Sequence, residues 1–332
     1  MPSSENVLIV GGAGYIGSYV NKYLHKLGYN TVILDNLITG KKERVSQGFF
    51  IQGDMSNQLL LDEIFENHKI SSVMLFAAYI SVGESVEDPM KYYFNNVYKP
   101  LRLFESMIKH NVLNLIFSSS AAIFGLPSKE NIKIDESHSC APINPYGETK
   151  WMIEKILRDF DHSYGLKSSC LRYFNAAGGD PEGELTLSDL VSSNLIPTAI
   201  HKHMKGQSIN IFGTDYNTPD GTCIRDYVHI ADLASAHQLA LEQLLENKIS
   251  TQYNLGNGQG FSVREVLKSI ERVSGQSLRI NETKRRAGDP PSLTADATKA
   301  RKDLGWETRY PTIDEIVTHA WVTMQVKASK VV

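Results

Sequence analysis

The chain has 332 residues, 42% of them hydrophobic and 21% charged, with a formal net charge of −3. That length suits one large or two modest domains with ample core, and the mild negative charge gives no basic footprint for nucleic acid. No apolar run approaches the roughly 20 residues of a membrane span, and Met1-Pro2-Ser3-Ser4-Glu5-Asn6 lacks the basic and apolar regions of a signal peptide.

In chain order, strands are predicted at 7–10, 31–35, 49–52, 73–76, 113–118 and 168–173. Helices are predicted between them near 15–27, 57–67, 89–109 and 146–163. Alternating β and α implies an α/β fold, a Rossmann-like doubly wound parallel sheet covered on both faces. After residue 174 the chain is less regular, with turn-rich loops at 178–181 and 215–221 and helical patterns near 188–204, 231–246, 262–274 and 312–326. This predicts a dinucleotide-binding domain over 1–174 and a smaller mixed α/β domain over 175–332, with a soft boundary and some segments returning to the first domain. Cys140, Cys170 and Cys223 are scattered and odd in number, which fits reduced cytoplasmic thiols. His201-x-His203 has no evident third ligand, so no metal is expected.

The turn Gly11-Gly12-Ala13-Gly14-Tyr15-Ile16-Gly17 stands between the first predicted strand and the first predicted helix. Glycine permits the sharp reversal, the approach of backbone to a pyrophosphate, and close helix–strand packing. The first helical amides then face the anion. The next strand ends in Asp35, which can accept hydrogen bonds from an adenosine ribose and would repel a 2′-phosphate, favouring NAD over NADP. Asp35-Asn36, Asp54-Met55, Phe76-Ala77-Ala78 and Ser118-Ser119-Ser120 all fall at predicted strand ends, where ligands of open α/β sheets sit.

Tyr146 and Lys150 are four residues apart and share a helix face. A phenol is a poor base at neutral pH, with a reference pKa near 10; a neighbouring ammonium and a cationic nicotinamide favour its phenolate. Ser120, at a strand end, can donate to a substrate oxygen.

These segments resemble the extended short-chain dehydrogenases/reductases, and closely the UDP-glucose 4-epimerase family. The likeness runs nearly end to end through Val82-Gly83-Glu84-Ser85-Val86, Asn144-Pro145-Tyr146-Gly147, Arg172-Tyr173-Phe174-Asn175, Asn194-Leu195-Ile196-Pro197 and Ile211-Phe212-Gly213-Thr214-Asp215-Tyr216. Asp220-Gly221-Thr222-Cys223-Ile224-Arg225-Asp226-Tyr227-Val228-His229 and Arg285-Arg286-Ala287-Gly288-Asp289-Pro290 are the narrowest matches. The resemblance implies inversion at C4 of a UDP-hexose by a retained NAD. Tyr146 would take the 4-hydroxyl proton, Ser120 would assist, and Lys150 would tune Tyr146 and hold the nicotinamide ribose. Hydride would pass to NAD, and the 4-keto sugar would turn and take it back on its other face.

It further implies cofactor contacts from Gly11, Gly14, Tyr15, Ile16 and Gly17, then from Asp35, Asn36, Asp54 and Met55. Phe76, Ala77, Ala78, Asn95, Ser118 and Tyr173 complete that set beside Tyr146 and Lys150. For the substrate it implies Arg225 and Arg286 on the diphosphate, with Asn175, Asn194, Leu195, Asn210, Phe212, Asp289 and Leu293 around nucleotide and sugar. A homodimer through the stretches 89–109 and 146–163 is also implied.

The chain departs from the family pattern in places. Ile80 stands where many members carry a lysine that contacts NAD, and Ala122 and Phe124 replace hydroxyl-bearing residues. Leu293 is intermediate in size at a position that gates N-acetylated sugars. UDP-N-acetylhexosamines, UDP-pentoses and UDP-uronic acids therefore stay open as alternative substrates. A dehydratase or decarboxylase would carry an acid where Ala121-Ala122 stand, and a non-catalytic NAD sensor need not keep Ser120, Tyr146 and Lys150.

Overall fold

The computed structural model describes residues 6–126, 133–187, 194–286 and 289–325. Seven strands form the main sheet, in the spatial order Thr251–Leu255, Lys167–Tyr173, Asn114–Ser120, Ile70–Leu75, Asn6–Val10, Asn30–Asp35 and Phe49–Gln52. Every neighbouring pair is parallel. Val7, Leu8, Ile9 and Val10 are each at most 1% exposed, because helices cover both faces.

The two-residue period sorts that run between two cores. Val7 and Ile9 pack with Val20, Leu24 and Leu241, from helices Tyr15–Lys26 and Ile230–Asn247. Leu8 and Val10 pack with Leu61, Leu103 and Ile153, from helices Gln58–His68, Lys99–Lys109 and Pro145–Tyr164. The strand order reverses at Asn6–Val10, and the carboxyl ends of that strand and of Ile70–Leu75 open the crevice used below.

The single helix expected over 89–109 is three segments: Pro89–Tyr93, a π-helical turn Phe94–Tyr98, and Lys99–Lys109. Pro100 has no amide to give to the turn before it. The wide turn buries Asn95 and Asn96, and Asn96 bonds both the Tyr79 amide and carbonyl at 2.9 Å. Turns of this kind are often functional features.

In the second half, helices run over Leu195–Met204, Ile230–Asn247, Val263–Ser274 and Ile313–Gln325. Residues 188–193 of the helix expected near 188–204 lie outside the described residues. Short strands absent from the sequence reading make a second sheet, ordered Gly260–Ser262, Ile224–His229, Ser292–Ala295 and Lys133–Ile134, with Asn175–Ala177 pairing on Ile224–His229. Ile209–Phe212 pairs with Ile280–Thr283. Two features tie these parts to the main sheet. Thr251–Leu255 crosses back to pair with Lys167–Tyr173, and Lys22 forms a buried ion pair with Asp180 at 2.5 Å.

Candidate active site

The glycine turn fits the crevice at the reversal point by lacking side chains. Gly11 has φ +86°, and a Cβ there would lie 2.5 Å from the Ala77 amide nitrogen. A Cβ on Gly17 would lie 2.4 Å from the Gly11 carbonyl oxygen. Helix Tyr15–Lys26 begins at Gly14 with no side-chain cap and no acid in its first turn. Its leading amides are therefore available to an anion, and the dipole favours one there. That donor set and bare backbone suit a pyrophosphate.

Asp35, 7% exposed, accepts from the Ala13 amide at 2.9 Å and the Leu37 amide at 2.8 Å. The acid therefore braces the glycine turn itself. Asp54 accepts from Lys99 at 2.6 Å, Asn36 at 3.0 Å and Ser56. Burial raises its carboxyl, but these donors outweigh burial and hold it well below the usual carboxylate range. Met55 is buried beside it in the core under this face. The Tyr15 hydroxyl donates to the Gly178 carbonyl at 2.7 Å, and Ile16 packs against the core beneath. Phe76 and Ala77 follow strand Ile70–Leu75, their amides bonded to the Val10 carbonyl at 2.8 and 3.1 Å; Ala78 comes next, before Tyr79 on the Asn95-Asn96 turn.

At the other end, strand Asn114–Ser120 delivers Ser118 and Ser120, and helix Pro145–Tyr164 delivers Tyr146 and Lys150. That helix starts where the sequence directs it. Asn144 caps it by accepting the Gly147 amide at 2.8 Å, and Pro145 occupies the first turn. A Cβ on Gly147 would sit 2.6 Å from the Ala122 carbonyl oxygen, so glycine lets the helix start come close behind Ser120.

Lys150 is 4% exposed and donates to the Ser118 carbonyl at 2.6 Å, with its ammonium 6.0 Å from the Tyr146 ring centre. Burial lowers its pKa to about 7, with Glu154 opposing. Burial also raises the Tyr146 phenol, against a hydrogen bond with Ser120 that lowers it. The expected lowering of the phenol is thus not achieved by this chain's own groups, because desolvation outweighs them; a cationic group in the crevice acts in the missing direction.

The remaining candidate residues lie on the second sheet and on elements beside it. The Arg225 guanidinium donates to the Ile224 carbonyl at 2.8 Å, the Pro290 carbonyl at 2.9 Å and Asp289 at 3.0 Å. Leu293 pairs with Arg225 in register and packs on the cluster containing Phe124 and Phe174. Arg286 lies over the Phe212 ring at 3.9 Å. Asn210, two residues before Phe212, shares its strand face and meets Asn281 at 3.2 Å. Asn175 donates to the Asp226 carbonyl at 2.9 Å, and Asn194 stands just before the helix that begins at Leu195, its side chain turned to the Ala176 carbonyl at 3.5 Å. Ile80 is 52% exposed at the cofactor end.

Three elements of this site were missed in the sequence. Lys99 braces Asp54, Glu154 pairs with Arg172 at 2.7 Å while accepting from Ser119, and Tyr173 bonds His237. Glu154 had a readable signal, since it lies one turn beyond Lys150 on the same helix face. Lys99 and His237 come from distant segments and gave none. Among the described residues no cluster of three or more potential metal ligands occurs, and no helix is long and apolar enough to cross a membrane.

Comparison with known proteins gives the same outline. Residues 7–256 match the model of the NAD dependent epimerase/dehydratase family. The UDP-glucose 4-epimerase of Halalkalibacterium halodurans is 46% identical, over 95% of this chain and 94% of that protein. A crystal structure of UDP-glucose 4-epimerase from Brucella ovis in complex with NAD is 46% identical, covers 96% of this chain and 98% of that one, and superposes with a TM-score of 0.92. The enzyme from Bifidobacterium longum, solved with NAD+ and UDP, is 36% identical, covers 96% and 97%, and has a TM-score of 0.87.

Proposed function

The chain belongs to the NAD-dependent epimerase/dehydratase family, and from that premise we propose which of its residues carry the reaction. The protein interconverts UDP-glucose and UDP-galactose by NAD-dependent epimerisation at C4. NAD, when bound, supplies the acceptor and then the donor of hydride at that carbon. Tyr146 takes the proton of the 4-hydroxyl and later returns it, with Ser120 beside the phenol and able to donate a hydrogen bond to the sugar oxygen. Lys150, when protonated, places positive charge beside the phenol and is aimed by the Ser118 carbonyl. The observation that carries this reading is the buried Lys150 ammonium one helical turn from Tyr146, behind Ser120 at a strand end.

The amides opening helix Tyr15–Lys26 hold the pyrophosphate of NAD, Asp35 its adenosine ribose, and Asp54 and Met55 border the adenine. Phe76, Ala77, Ala78, Asn95, Ser118 and Tyr173 surround its nicotinamide half. Arg225 and Arg286 bind the diphosphate of UDP, an anion suited to two guanidiniums. Asn175, Asn194, Leu195, Asn210, Phe212 and Asp289 border the nucleotide and sugar. Tight hold on UDP with few sugar contacts suits a sugar that must turn within the site.

The direct test is incubation with UDP-galactose, reading UDP-glucose without added NAD. Tyr146→Phe is expected to lower turnover by roughly 10²–10⁴-fold, the range of general acid–base catalysis, while UDP titration stays unchanged. Turnover equal to wild type removes Tyr146 from the mechanism.

Leu293 supports a second activity. It packs on the apolar cluster with Phe124, on the strand beside Arg225, and is smaller than an aromatic residue there. Measurable turnover of UDP-N-acetylglucosamine is expected, rising in Leu293→Ala; none in either protein refutes it. Met90, Phe94 and Tyr98 are 77%, 52% and 47% exposed along 89–109, which supports a homodimer through that segment and 146–163; the free thiols of Cys140, Cys170 and Cys223 support a cytoplasmic setting. A monomer by light scattering refutes the dimer.

A further inference from the structure

We propose that His237 is a positioning residue for the nicotinamide end of the site, acting through Tyr173. The inference rests on the reading above that this end holds nicotinamide, and it concerns a residue on the far side of the sheet. His237 is fully buried on helix Ile230–Asn247, between the Phe76 ring at 4.8 Å and the Tyr173 ring at 5.5 Å. Its Nδ1 is 2.7 Å from the Leu233 carbonyl oxygen, which can only accept, so Nδ1 carries the proton. Burial lowers the imidazole pKa to about 4, so the ring is neutral and Nε2 is an acceptor.

The Tyr173 hydroxyl must then donate to Nε2. That leaves the phenolic oxygen to accept on its other side, near Ser118. Ser118 in turn presents its carbonyl to Lys150 at 2.6 Å. The protons run one way: Tyr173 hydroxyl to His237, and His237 to the Leu233 carbonyl. Both Phe76 and Tyr173, assigned to the nicotinamide half, pack on the imidazole that sets this direction.

A buried histidine can also be no more than a satisfied core group. Two apolar residues of similar shape could replace such a polar pair at little cost in stability. What the pair adds is one fixed orientation for the Tyr173 hydroxyl.

Three variants separate the two roles. His237→Gln can donate to Leu233 and accept from Tyr173. His237→Phe fills similar space but leaves the Tyr173 hydroxyl without an acceptor. Titration of NAD into cofactor-stripped protein is expected to show affinity within about twofold of wild type for Gln and a roughly tenfold loss for Phe, the scale of one buried hydrogen bond. UDP affinity is expected to be unchanged in both. In a Tyr173→Phe background, His237→Phe should add nothing further. Wild-type NAD affinity in His237→Phe, even with a lower melting temperature, overturns the proposal, as does equal loss in Phe and Gln. If instead Lys150→Met leaves NAD affinity untouched, the reading of the nicotinamide end itself fails, and the proposal with it.

Discussion

The end of the cleft proposed as catalytic and the end proposed to hold the nucleotide are built from different kinds of interaction. At the catalytic end the supports are buried. Glu154 and Arg172 have side chains 4% and 6% exposed, and Lys150 donates to a main-chain carbonyl at the end of a central strand. At the nucleotide end the Asp289 side chain is 32% exposed in its pair with Arg225, and Arg286 lies on an aromatic face. Buried pairs fix geometry because losing one partner leaves an uncompensated charge. The Arg225 side chain is itself 13% exposed, and a pair reached by water on one side is cheaper to break than a buried one. Proton transfer needs the first arrangement, and repeated capture and release of a diphosphate needs the second.

The sharpest way to break that contrast is Glu154→Gln. It leaves the Arg172 guanidinium buried without its carboxylate, and a loss of about 3–5 kcal/mol in stability is expected by urea denaturation. A change under about 1 kcal/mol, the scale of exposed pairs, would mean that the two ends do not differ.

Acid tests the same end through His237. An ordinary histidine titrates near 6.5, and burial lowers this one to about 4. The folded state therefore binds fewer protons than the unfolded chain between those values. The stability contribution is fully present above pH 6.5 and is lost as pH falls toward 4, on the order of 3 kcal/mol in all. Asp226 and Asp232, each raised to about 6 by burial, act in the opposite sense, and His229, lowered to about 3, acts in the same one. Comparing wild type with His237→Gln cancels those shared terms. Their stability difference should be constant above pH 6.5 and shift against wild type below it; a constant difference down to pH 4 contradicts the assignment.

A smaller effect, of another kind, is expected from Arg225→Met. UDP affinity should fall by roughly 30-fold, the scale of one charge-assisted hydrogen bond, with no drop in melting temperature. Asp289→Asn is expected to change stability least, by under about 1 kcal/mol, measured by thermal denaturation. If either variant unfolds the protein, the nucleotide end is as over-determined as the catalytic one.

The main sheet was readable where strands are buried on both faces. Val7–Val10 and Leu115–Phe117 announce themselves as apolar runs because helices cover each side. Thr251–Leu255 was not readable, since Thr251, Gln252 and Asn254 break the run and the strand gains its place only by pairing with Lys167–Tyr173. The second sheet escaped for a similar reason, with strands as short as Lys133–Ile134. At the site, Gly11, Gly17, Tyr146 and Lys150 stood out because local backbone or helix geometry demands them. Lys99 and His237 act across sequence separations of 45 and 64 residues, which no local pattern encodes.

The strand Thr251–Leu255 also bears on how the protein is made. A ribosome that has released the first 174 residues has supplied all the readable strands, yet Lys167–Tyr173 still presents an open edge. Unpaired edges invite association with other chains. About eighty more residues must emerge before the closing strand arrives, at synthesis rates of roughly 5–20 residues per second. For several seconds the seven-residue strand Lys167–Tyr173 stands at the edge of the sheet, a place later taken by the shorter Thr251–Leu255. In that interval binding of a chaperone, or of a neighbouring nascent copy, competes with native closure.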